Sequence, residues 1–196
     1  MENQHDKIAA LAYHEAGHAV FNVKYGFGVK YVCIKPEEGR GNCVQHKPSS
    51  YYELLATYYD YRDHPDLKRY REECLKKGFS QGLSLEMKKL MYCSFAGYIA
   101  ECMYRNEEIV FQHFKDISDN DYIDMNDIRY ADLLQLKGEE DIDAKEIEKE
   151  LEVIFNKTIH YVKSNFNEIK VVSDVLINDK KLSGDEVLNI INRQRA

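Results

Sequence analysis

The stretch AYHEAGHAV, residues 12 to 20, constrains this chain more than any other. Two histidines, His14 and His18, stand four positions apart, and Glu15 directly follows the first. On an α-helix, residues four apart project from one face, about 40° apart around the axis. Both imidazoles can then reach a single ion. Glu15 lies about 100° round from His14, at the rim, where a carboxylate can touch a metal-bound water without ligating the metal. The surrounding pattern agrees with a helix. Ile8, Ala12, Ala16, Ala19 and Val23 recur at helical spacing, which predicts a helix from about Asn3 to Tyr25 that stops at Gly26. The histidines face away from that apolar stripe, toward a site that other parts of the chain must build.

The spacing has a chemical purpose. Zinc held by three protein ligands keeps a fourth position for water and lowers the pKa of that water to roughly 7. A neighbouring carboxylate takes the proton as the water attacks a carbonyl, then delivers it to the leaving amine, which is metal-assisted peptide hydrolysis. The longer motif H-E-x-x-H-x-x-G-x-x-H is absent, so the third ligand must come from elsewhere. The candidates are His46, His113, Glu101, Asp116, Asp119, Asp121, Asp124 and Asp127. Asp127 shares a helical face with Ala131 and Leu134, and Asp124 shares one with Ile128 and Ala131, so both point inward and phase leaves the choice open. The plain reading of Glu101 is a helix carboxylate bound to backbone or to an arginine. For His46 and His113 it is a surface or hydrogen-bonded histidine.

Composition bounds the rest. A chain of 196 residues with 44% apolar and 31% charged residues suits a single domain with a core. A formal net charge of −7 and no clustered basic patch exclude nucleic acid as the main partner. No run reaches the ~18 apolar residues of a membrane span. The nearest, MYCSFAGYIAECMY, is short and contains Glu101, and reads as a buried helix. The opening MENQHDKIAA is polar, unlike a secretory leader. The five cysteines are odd in number and form no CxxC, which points to reduced thiols and a cytoplasmic setting.

After the first helix, Val29 to Lys35 and Asn42 to Lys47 flank a Pro/Gly-bearing loop and predict a β-hairpin. Residues 51 to 77 are rich in tyrosine and charge and read as two short helices divided at Pro65. Their tyrosines suit either helix packing or a binding surface. A long helix is expected from about Leu85 to Tyr104. QHFKDISDNDYID reads as a loop, leading into a helix over about Tyr122 to Leu136. Helices follow from about Asp143 to Lys163, near 165 to 177 and near 184 to 193, the last with Ser183 as N-cap. The fold class is mainly α (α+β): a helical bundle with a small antiparallel hairpin or sheet and a zincin-like helix near the N-terminus.

Several segments, in order, resemble the FtsH family of zinc metalloproteases. AYHEAGHAV looks like that family's zinc-binding helix, VKYVCIKPEEGRGNCV like its strand pair, and FAGYIAE like its small-residue-rich G-x-x-A-E helix. MNDIRYADLL is similar to the helix whose Asn-Asp pair supplies the third zinc ligand, and DVLINDKKLSGDEVLNII to the closing helices. The resemblance implies His14, His18 and Asp127 as ligands of Zn2+ and Glu15 as the catalytic glutamate. It covers most of residues 1 to 196 as one peptidase domain, outside a helical insertion at 51 to 82. The chain contains no G-x-x-x-x-G-K-[ST], so the expectation is a stand-alone peptidase without an ATPase module. Its substrates would be peptides or unfolded segments, unless a separate partner delivers them. The family's ring assembly makes a homo-oligomer an open expectation. The alternative is a zinc-stabilised protein-interaction module without proteolysis, in which a fourth protein ligand, with His46 and His113 as the candidates, closes the site.

Overall fold

The computed structural model describes residues 4–46, 81–117 and 144–195. The two short helices expected in 51 to 77, the helix expected over 122 to 136, and Asp119, Asp121, Asp124 and Asp127 lie outside them. Helix α1 (Gln4–Lys24) is followed by strands β1 (Val29–Lys35) and β2 (Arg40–Gln45). Helices α2 (Gln81–Arg105), α3 (Phe111–Ile117), α4 (Ala144–Ser164) and α5 (Phe166–Asp179) come next. Strand β3 (Lys181–Ser183) and helix α6 (Gly184–Arg195) complete the described chain. The architecture is a mainly helical assembly with one small antiparallel sheet.

Helix α1 is the hub, packed against α2, α5 and the sheet. Small residues make this possible, because Ala10, Ala12, Ala16 and Ala19 are fully buried and let neighbours approach closely. Of the expected stripe, Ala12, Ala16 and Ala19 are buried and Ile8 and Val23 partly so, while Tyr13, Gly17 and Val20 are buried on other sides of the helix. The histidine side is therefore not an open face; it packs on α2. The helix ends where Gly26 takes φ +83, a left-handed conformation that costs glycine little.

The hairpin forms where the β-branched and apolar residues alternate, in the register Val32↔Cys43, Cys33↔Asn42 and Lys35↔Arg40. Strand β3 adds to the other side of β1 through Tyr31↔Ser183 and Val32↔Leu182. The order is β2-β1-β3, so among the described residues β2 keeps one edge without a strand neighbour. β3 was not expected; three residues with a single buried side chain, Leu182, carry too little pattern to read as a strand. Ser183 does cap α6. Its Oγ accepts from Glu186 N (3.3 Å), and the Glu186 carboxylate accepts from Ser183 N (2.7 Å), a reciprocal capping box.

One segment corrects the sequence reading. Phe111–Ile117 is helix α3, not a loop. Its polar composition is overridden by Phe111 and Phe114, spaced to dock on one side. Both rings meet Phe95 of α2, which also contacts Phe155 of α4 with centroids 5.2 Å apart. This aromatic knot ties three helices together. Residues 91 to 104 form the buried part of α2, as expected, and no helix of the described residues is long and apolar enough to cross a membrane.

Candidate metal centre

The site begins with how closely α1 and α2 approach. A Cβ on Gly17 would lie 2.5 Å from the Ala96 carbonyl oxygen, so only glycine permits this crossing. That approach lays His14 and His18 along α2 between Cys93 and Glu101. His18 Nδ1 donates to the Cys93 carbonyl oxygen at 2.8 Å. His14 Nδ1 donates to Glu101 Oε2 at 3.0 Å. Glu101 is tied down in turn, its other oxygen accepting from Arg105 Nε at 3.0 Å.

These partners assign the tautomers. A carbonyl oxygen and a carboxylate can only accept, so both Nδ1 atoms carry the proton, and in the neutral rings both Nε2 atoms present lone pairs. The two Nε2 atoms lie 3.0 Å apart. Two lone pairs repel at that distance, and a proton or a metal cation between them turns repulsion into attraction. Two nitrogens bound to one tetrahedral zinc at the usual bond lengths would stand about 3.3 Å apart. The pair thus fits a divalent ion, with outer partners of the kind that orient metal-binding histidines.

Glu15 is 6% exposed and packs against the sheet. Its carboxylate lies against β2 at Gly41, where an added Cβ would fall 2.5 Å from Oε1. Cys43, the next inward-facing residue of β2, has its thiol pushed well up, chiefly by burial and then by the Glu15 charge. Asn22 Nδ2 reaches the same sulfur at 3.8 Å.

The other candidates divide. Glu101 sits on His14 Nδ1 rather than beside Nε2, and it is held by an arginine, the plain reading of that residue. His46 lies next to the turn at Gly28. His113 and Asp116 are exposed on α3, with Asp116 accepting from Gln112. Among the described residues, no group of three or more His, Cys, Asp or Glu side chains could hold an ion. Asp127 lies outside the described residues. Sequence reasoning gave Gly41 no role, since its lack of a side chain leaves no periodic signal. It also passed over Arg105, although its position four residues after Glu101 is a legible helical ion pair.

No protein-family profile matches the chain, and no curated protein matches its sequence.

Proposed function

We propose that this chain is a zinc metallopeptidase that hydrolyses peptide bonds in peptides or unfolded segments in the cytoplasm. The observation that carries the reading is the convergence of His14 Nε2 and His18 Nε2 at 3.0 Å, each ring fixed from behind through its Nδ1. His14, His18 and Asp127 would hold the ion. Zinc, when bound, supplies a Lewis acid and a water acidic enough to react near neutral pH.

The protein's own groups do the rest. Glu101 and the Cys93 carbonyl keep both imidazoles in the ligating tautomer. Glu15 would accept the proton of the attacking water and return it to the leaving amine. Its buried carboxylate packs on the face of β2 at Gly41. A substrate strand would add to the edge of β2, main chain to main chain, which aligns its carbonyls without reading side chains.

The test is Glu15→Gln. Peptide turnover should fall by about 10²–10⁴-fold, with zinc content per chain unchanged by elemental analysis. A variant that still cleaves at the parent rate ends the proposal.

A further inference from the structure

Two glycines on different elements stand directly against the two chemical groups of this site. On α2, a Cβ at Gly97 would collide with the Nε2 corner of the His18 ring, with Cε1 at 2.6 Å and Cδ2 at 2.7 Å. On β2, a Cβ at Gly41 would collide with the Glu15 side chain, with Oε1 at 2.5 Å and Cδ at 2.6 Å. Neither glycine is placed by backbone need. Gly97 lies within a regular helix and Gly41 within a strand, and neither has a positive φ. A glycine inside a helix costs stability relative to alanine, and one inside a strand weakens it. Both positions therefore carry a local cost for which the neighbouring side chain supplies the reason.

We propose that Gly97 and Gly41 are separate positioning residues, Gly97 making room for the metal-binding nitrogen of His18 and Gly41 seating the Glu15 carboxylate against β2. The two roles separate because the obstructing atoms differ. The His18 ring is held at Nδ1 by the Cys93 carbonyl, so a methyl group at 97 forces it out of line with His14. A methyl group at 41 displaces a carboxylate and leaves both imidazoles alone. The inference rests on the zinc peptidase reading for its functional readouts, but not for its structural one.

The structural readout is a pair of melting cycles without added metal. Gly97→Ala is measured beside His18 and in a His18→Ala background; Gly41→Ala is measured beside Glu15 and in a Glu15→Ala background. Each alanine should lower Tm beside the native partner. With the His18 ring gone, Gly97→Ala should instead raise Tm by about 2–4 °C, as alanine is the better helix former. With the Glu15 carboxylate gone, the loss from Gly41→Ala should vanish. A shift that is the same in both backgrounds overturns the proposal at that glycine. If Gly97→Ala does not fold alone but folds with His18→Ala, the coupling is shown in its strongest form. The functional readout is zinc binding with peptide turnover. Gly97→Ala should weaken zinc by at least about 10-fold, while Gly41→Ala keeps the parent's zinc affinity and loses turnover. The reverse pattern, or no difference between the two, overturns it. A parent chain that takes up no zinc sinks the peptidase reading, and the melting cycles still decide the positioning roles.

Discussion

Glu101 shows what single side chains contribute here. It is partly exposed, yet it binds His14 through one oxygen and Arg105 through the other. Changing it to Gln keeps the size but removes the charge that holds the proton on Nδ1. An amide can also turn its NH2 toward the ring and favour the wrong tautomer. Glu101→Gln should weaken zinc binding by about 10–100-fold, measured by competition with a chelator, with little change in helix content. Unchanged affinity would remove Glu101 from the site. At this scale the sequence was readable where chemistry is local. His14, Glu15 and His18 follow from spacing within one helix. The link from His14 to Glu101 spans 87 positions, and nothing in either local pattern reports it. For a third ligand the sequence left His46, His113 and several carboxylates open, and Asp127 lies outside the described residues.

Among the elements, α6 gives the cleanest case of a sequence signal realised in structure. Ser183 and Glu186 stand three apart and form the capping box. Hydrogen bonds from the Ser183 hydroxyl and backbone N–H hold the Glu186 carboxyl below its ordinary value of 4.5. A carboxyl with a depressed folded-state pKa contributes stability above its unfolded value and loses it as pH falls through the folded value. The Tm difference between the parent and Glu186→Gln should therefore be full at pH 6 and shrink as the medium is acidified below 4.5. A gap that does not close with acid would mean the carboxylate charge contributes nothing. Ser183→Ala should lower Tm by about 2–4 °C at neutral pH. Elements were legible in proportion to their own periodicity. α1, α5 and α6 were placed to within a few residues. α3 and β3 were not, because Phe111, Phe114 and Leu182 acquire their meaning only from distant partners in α2 and β1.

For the molecule as a whole, the aromatic knot around Phe95 holds α2 in place and, through α2, the histidine pair. Phe95 is completely buried, and Phe95→Ala should cost about 3–5 kcal/mol, a large share of the roughly 5–15 kcal/mol typical of a domain. Urea unfolding should show it as a lower midpoint. If the ion binds only the folded chain, saturating zinc should raise Tm of the parent and of Phe95→Ala alike. It should raise neither His14→Ala nor His18→Ala.

The sheet adds a consequence in time. The histidine pair sits in the first helix, yet β1 beside that helix is flanked on one side by β3, and Gly184 meets the Val29 carbonyl so closely that no side chain fits. Contacts that span most of a chain form late. During synthesis, the histidines leave the ribosome more than 160 residues before β3, so the sheet beside the first helix stays incomplete in the nascent chain long after that helix has emerged.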